Sequence, residues 1–295
     1  MRVLNKKKGL LGALLLVPGV LLGGCSSVQL INALVPENDF KLAADQSYGT
    51  APRQKLDVYS PLVSTPGKLP VVVFFYGGNW DSGAKKDYLF VAEALASRGF
   101  VTVVADYRLY PDVRYPAFLE DGAAAVNWTL DHLADYNGDP AQVHLMGHSA
   151  GAYIAATLVL DKRWLGSRVG RIKSVVGLAG PYDFLPLTDP TLKIIFGTES
   201  DLTRTQPITY ADGNAPPMLL LSGLKDVTVY PKNSINLANR IRQNGGQAYE
   251  HYYPKLNHYT LVGSMAKPLR FLAPVLDDVS AYMKNDVVPV AKAVK

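Results

Sequence analysis

From residue 54 onward, short apolar runs alternate with longer amphipathic stretches. Residues 54–59 place Leu56 and Val58 on one face and Asp57 and Tyr59 on the other, the period-two pattern of a strand. Residues 70–76 are apolar on both faces, β-branched and aromatic through Val71-Val72-Val73-Phe74-Phe75, and predict a strand covered on both sides. Residues 85–98 have helical spacing and stop at Gly99, the residue that most readily closes a helix. Residues 100–105 predict another buried strand. A helix follows over 116–135, a strand over 142–146 and a helix over 150–160. Strands at 172–178 and 217–221, a helix at 231–244, a strand at 247–252 and a helix at 268–284 complete the alternation. This order implies a mostly parallel sheet with helices on both faces, whose ligands bind beyond the carboxyl ends of the strands. The expected division is a main domain over 53–285, a tether with one short helix before it, and a tail over 286–295.

The chain begins differently. Arg2, Lys6, Lys7 and Lys8 precede an apolar run over 9–17, which Pro18 and Gly19 interrupt and 20–22 resume. A basic start and a short apolar run make the pattern of a secretory signal. A spanning helix needs about 20 apolar residues, and Pro18 breaks this run. The run ends in Leu22-Gly23-Gly24-Cys25, which resembles the bacterial lipobox. The resemblance implies a signal peptide over 1–24, a diacylated Cys25 and a lipidated tether over 25–52 that anchors the chain in the bacterial cell envelope. Ser26 follows the cysteine. An aspartate there would favour inner-membrane retention in a Gram-negative cell, so serine points to the outer membrane. A chain beginning near Val28 is expected to be soluble with its chemistry intact. Cys25 is the only cysteine, so neither an intrachain disulfide nor a thiolate metal site is expected.

Composition narrows the class. A chain of 295 residues, 48% of them hydrophobic, can fill the core of one large α/β domain, and 19% charged residues exclude a solvated, disordered chain. The net charge of +5 would suit a nucleic acid, but four of the basic residues lie in 1–24, and the rest of the chain has 26 basic against 25 acidic residues. No basic stripe remains, and no nucleic-acid partner is expected.

Gly147-His148-Ser149-Ala150-Gly151 matches G-x-S-x-G between a predicted strand and a predicted helix, the context in which that pattern exposes a nucleophilic hydroxyl on a sharp turn. Side chains at 147 and 151 would collide there. A serine needs a base. Among the five histidines, His132 and His144 read as packing residues, and His148 as the variable position of the turn, pointing away from the hydroxyl. His258 follows the last predicted strand, where the chain order Ser…Asp…His puts the base; His251 is second. Asp226 follows the strand 217–221 through Ser222-Gly223-Leu224-Lys225 and can hold the imidazolium; Asp201 is the other candidate. Tyr76-Gly77-Gly78-Asn79-Trp80 follows the strand 70–76. The amides of Gly77, Gly78, Asn79 and Ala150 are the candidate donors to a developing oxyanion, and Trp80 either lines a pocket or packs beneath the loop.

These segments resemble bacterial carboxylesterases of the α/β-hydrolase fold, the feruloyl-esterase-like, acetyl-xylan-esterase-like and arylformamidase proteins with an H-G-G-x-W loop. Leu56-Asp57-Val58-Tyr59-Ser60-Pro61, Asp106-Tyr107-Arg108-Leu109 and Gly138–Gly151 carry the likeness along with the loop, over about residues 54–265. The resemblance implies an eight-stranded sheet, a small cap, hydrolysis of a small-molecule ester through an acyl-enzyme, and no metal or organic cofactor. Tyr76 departs from it by standing where the family has histidine, which braces the loop. A phenol can still donate a hydrogen bond. Asp106 and Arg108 read as further braces. An amidase, formamidase or peptidase would use the same triad, and a non-catalytic lipoprotein would be marked by a missing member. Residues 180–216, where a lid would enter, are short and broken by Pro181, Pro186, Pro190 and Pro207. They predict a shallow site for acyl groups of about two to six carbons.

Overall fold

The computed structural model describes residues 27–36, 38–62 and 67–289. The expected signal peptide, Cys25 and residues 290–295 lie outside them. The strands are β1 (Phe40–Ser47), β2 (Lys55–Pro61), β3 (Leu69–Phe75), β4 (Val101–Ala105), β5 (Gly138–His148), β6 (Ile172–Leu178), β7 (Met218–Gly223) and β8 (Ala248–Tyr253). The helices are α1 (Ser27–Asn32), α2 (Leu89–Ser97), α3 (Ala117–Asp131), α4 (Ala150–Leu160), α5 (Pro190–Phe196), α6 (Lys232–Gln243), α7 (His258–Gly263) and α8 (Val275–Asn285).

One eight-stranded sheet runs β1-β2-β4-β3-β5-β6-β7-β8. The pairs β1–β2 and β2–β4 are antiparallel, and every pair from β4 to β8 is parallel. The apolar run of β3 explains why the sheet is covered twice. Phe74 meets the Tyr88 ring just before α2, with ring centroids 5.5 Å apart. Its neighbour Phe75 points the other way, to Gly122 of α3. The α2–α8 pair thus lies on one face and the α3–α4 pair on the other.

Three expectations need correction. The supposed tether over 25–52 contains β1, an edge strand of the sheet, so only its first part precedes the domain. β1 hides from a period-two reading because a bulge between Ala43 and Gln46, with Asp45 at φ 54°, shifts its register. The helix expected over 85–98 starts with a 3-10 turn at Lys85–Tyr88. The helix expected over 268–284 begins only after Pro274, whose ring cannot sit inside a helix.

Candidate active site

β5 ends at His148 and α4 begins at Ala150, so Ser149 alone makes the turn, at φ 53° and ψ −123°. A non-glycine residue is strained there and persists only where its surroundings hold it. The Ser149 amide donates to the Leu178 carbonyl at 2.8 Å. A Cβ on Gly147 would lie 2.2 Å from the Gly151 carbonyl oxygen, and one on Gly151 would lie 2.0 Å from that of Phe75. The collisions expected from the motif are therefore present, and only glycine fits.

The turn presents Ser149 Oγ to His258 Nε2 at 2.9 Å, and His258 Nδ1 lies 2.8 Å from Asp226 Oδ2. All three side chains are buried. The second carboxylate oxygen of Asp226 accepts the amides of Thr228 at 2.9 Å and Val229 at 2.8 Å, which fixes its orientation. A carboxylate only accepts, so it takes Nδ1–H and leaves the Nε2 lone pair for the serine hydroxyl. The loops after β7 and β8 are joined by backbone bonds, Leu224 N–H to Tyr253 O at 3.0 Å and Lys225 N–H to Leu256 O at 2.9 Å. His258 opens α7 directly after Asn257, whose side chain accepts the Tyr259 and Thr260 amides while its own amide donates to Thr260 Oγ1 at 2.8 Å. That reciprocal cap fixes the helix start and with it the imidazole. The alternatives are elsewhere. Asp201 caps a 3-10 turn at Leu202–Thr205, and His251 lies within β8 against Tyr253.

The loop after β3 is wound on one carbonyl, since Gly78 O accepts the amides of Asp81 and Ser82, each at 3.0 Å. Gly78 sits at φ +134°, and a Cβ on it would lie 2.2 Å from Ser82 O. Asn79 and Trp80 follow in the left-handed region at φ 48° and 60°. The amides of Gly78, Asn79 and Ala150 donate to no protein group among the described residues. They are the candidate oxyanion donors. Gly77 leaves that set, because its amide points to Tyr88 Oη at 3.3 Å.

Tyr88 and His148 are site residues that sequence reasoning missed. Tyr88 Oη also lies 3.3 Å from His148 Nδ1, and His148 Nε2 lies 3.1 Å from the His258 carbonyl oxygen. The carbonyl requires Nε2 to donate, so Nδ1 accepts from the phenol. Burial, reinforced by the nearby His258, pushes His148 down to about 3, which keeps this ring neutral. The chain Gly77–Tyr88–His148–His258 ties the oxyanion loop to the backbone of the histidine. The His148 ring packs against that of His258, with centroids 4.8 Å apart, and both its nitrogens bond to groups other than the Ser149 hydroxyl. Nothing in the sequence spacing shows that Tyr88 would meet it.

Tyr76 braces the loop from below. Its hydroxyl donates to Asp106 Oδ1 at 2.7 Å and accepts from Arg53 Nη2 at 2.7 Å. Arg53 also donates to Gly83 O at 2.8 Å and Tyr107 O at 2.9 Å. Burial raises the Tyr76 phenol far above its ordinary range, and Tyr107 and Asp106 push the same way, so it stays a donor. Asp106 is the expected brace. Arg108 braces more remotely, donating to the buried Asp121 of α3 at 2.8 Å.

The BD-FAE family model matches residues 56–241, most of the domain and the segment holding Ser149 and Asp226. The chain belongs to the BD-FAE family of α/β-hydrolases. Among curated relatives, a probable isoprenylcysteine alpha-carbonyl methylesterase of Arabidopsis thaliana is 30% identical over 239 residues, 72% of this chain and 50% of that protein. The kynurenine formamidase of Danio rerio is 33% identical over 144 residues, 48% of this chain and 47% of that protein. The chain thus spans about half the length of these relatives. A truncated carbohydrate esterase from gut microbiota has the same fold, with a TM-score of 0.74 at 20% identity over 84% of this chain and 97% of that one.

In this BD-FAE member two cavities meet at Ser149. The larger, about 540 Å³, is lined by Trp80, Ala150, Phe184, Leu185 and Leu187 among others. Trp80 lines it and is also packed, with Tyr153 at 5.1 Å and Phe196 at 4.9 Å between ring centroids, so the two expected roles coincide. Residues 180–216 form a small cap around α5, as expected. The smaller cavity, about 230 Å³, is lined by His258, Tyr88 and residues of α1.

Proposed function

We propose that this protein is a serine carboxylesterase that hydrolyses short-acyl esters through an acyl-enzyme, held at the bacterial envelope by a lipid on Cys25. The observation that carries the reading is the unbroken line from Asp226 through His258 to Ser149, at 2.8 and 2.9 Å. Ser149 Oγ attacks the ester carbonyl carbon while His258 Nε2 takes its proton. Asp226 stabilises the imidazolium. The carbonyl oxygen becomes an oxyanion held by the amides of Asn79, Ala150 and Gly78. The C–O bond to the alcohol breaks as His258 returns the proton to the departing oxygen. Water, deprotonated by the same imidazole, then cleaves acyl-Ser149 and frees the acid.

Support for a short acyl group comes from the segment 180–216, which is short, broken by four prolines and lines the cavity beside Trp80 with Pro181, Leu185 and Leu192. Support for the anchor is the lipobox pattern ending at Cys25. A second reading, hydrolysis of a formamide on the same residues, is favoured by the 33% identity to the formamidase. The two readings differ only in the atom that His258 must protonate. The test is turnover of wild type and Ser149→Ala on aryl esters, N-formylkynurenine and peptide amides. The esterase reading expects aryl esters to be fastest and Ser149→Ala to lose at least ~10³-fold. Fastest turnover of the formamide would move the assignment, and full activity in Ser149→Ala would end it.

A further inference from the structure

The smaller cavity shares Ser149 and Asn79 with the larger one but has a different wall, formed by Val28, Ile31, Phe90, Val262 and the His258 ring. The ester oxygen that leaves must receive its proton from His258, so the alcohol portion of a substrate lies on the His258 side of Ser149. His258 lines the smaller cavity and is absent from the wall of the larger. The smaller cavity is therefore the place for the alcohol, and its aliphatic and aromatic wall suits an apolar one.

Val28 and Ile31 belong to α1, and α1 is fixed to the domain. Asn32 donates through Nδ2 to the carbonyls of Lys86 at 2.9 Å and Asp87 at 3.0 Å, and accepts the Phe90 amide at 3.1 Å. One side chain thus satisfies an amide at the start of α2 and holds the pocket wall in place. α1 starts at Ser27, two positions after Cys25. An extended residue reaches at most ~3.6 Å, so Val28, three positions after Cys25, is held by the chain close to the residue that the anchor reading lipidates. Tyr259, in the wall of the smaller cavity, is 71% exposed; Val227, beside Thr228 that lines both cavities, is 75% exposed, and Tyr230, in the wall of the larger, 55%. Such a cluster is costly in water and suited to a lipid–water boundary, where a tyrosine can bury its ring and wet its hydroxyl.

We propose that the smaller cavity binds the apolar alcohol portion of an ester held in a lipid surface, with α1 serving both as its wall and as the arm that seats its mouth on that surface. The inference rests on the esterase and lipid-anchor readings above. A chain begun near Val28 starts inside the helix that walls the site, so on this proposal it turns over apolar-alcohol esters more slowly than the full chain.

The test uses the full lipidated chain and two acetate esters, ethyl acetate in solution and decyl acetate in phosphatidylethanolamine–phosphatidylglycerol vesicles. Ile31→Asp puts a charge into the apolar wall and is expected to lower kcat/KM for decyl acetate at least about tenfold more than for ethyl acetate. Leu42→Asp, at an exposed side chain of β1 outside both cavity walls, keeps the wild-type ratio between the esters. Cys25→Ser, exported by a conventional signal, is expected to be slower than the anchored chain on decyl acetate in vesicles and equal to it on ethyl acetate. A fluorophosphonate probe, which needs no alcohol pocket, labels all of these variants. Labelled Ile31→Asp protein that loses both esters equally, or neither, overturns the inference alone. So does a Cys25→Ser protein as fast as the anchored chain on vesicles. Unlabelled wild type overturns the esterase reading and the inference with it.

Discussion

Tyr76 shows how a single substitution can be absorbed at a site built from polar contacts. Standing where the H-G-G-x-W pattern that this loop resembles has histidine, the phenol gives one hydrogen bond to Asp106 and takes one from Arg53, and it stacks on Tyr107 at 4.8 Å between ring centroids. Tyr76→Phe keeps the stacking and removes the bond to a carboxylate, a loss of about 1.5–3 kcal/mol. Purified Tyr76→Phe is expected to fold, to melt a few degrees lower and to lose roughly tenfold in kcat/KM as the oxyanion loop loosens. Unchanged kinetics would show that the loop holds without this brace. The acid can be tested in the same way. Asp226→Asn is expected to lower kcat by about 10⁴-fold, because an amide can hold the wrong tautomer of His258, whereas Asp201→Asn leaves it near wild type. The opposite ranking would contradict the geometry. Ser149, Asp226 and His258 were legible in the sequence because each follows a strand that its own residues announce. Tyr88 and the role of His148 were not. They meet only because the 3-10 turn before α2 brings Tyr88 to the end of β5, and no local spacing encodes that encounter.

Among the elements, α7 has a more direct part in the site than its length suggests. It has six residues, and its first is His258. The Asn257 cap satisfies its leading amides, so Asn257→Ala is expected to cost about 1 kcal/mol of stability and to lower kcat by more than that loss alone explains. Thermal melts and steady-state rates on one aryl ester check the split; a fall in melting temperature with kcat intact would make the cap purely structural. Strands β3, β4 and β7 were readable because they are largely apolar or β-branched runs bounded by turns. β1 was not, since an edge strand needs only one buried face and its bulge breaks even that alternation. The start of α8 was missed for another reason: its helical period extends past Pro274, where backbone chemistry overrides the pattern.

At the scale of the whole molecule, burial of two histidines couples the fold to pH. His144 and His148 are each pushed from 6.5 down to about 3, chiefly by burial. Both are neutral in the folded protein near neutrality, while in the unfolded chain they take up protons once pH falls below the ordinary histidine value. The stability they allow is present above pH 6.5 and is lost as pH falls toward 3. His144 touches Ser174, away from the triad. His144→Gln is therefore expected to lose less melting temperature than wild type between about pH 7 and pH 4.5, and an identical loss would show that other groups carry the acid sensitivity. The small cap sets a second property of the whole. In a p-nitrophenyl ester series, kcat/KM is expected to peak at acyl chains of about two to six carbons, since each further methylene gains only ~0.8 kcal/mol where the pocket can bury it. A maximum at long chains would mean that the cavity beside Trp80 extends or opens further than its 540 Å³.

The central claim is that Ser149 is the nucleophile, and covalent mapping tests it most directly. The intact protein is treated with a fluorophosphonate, digested, and the adduct located by mass spectrometry. One modified residue is expected, Ser149, with labelling slowed by His258→Ala and absent in Ser149→Ala. An adduct on any other residue, or labelling that survives Ser149→Ala, would contradict it.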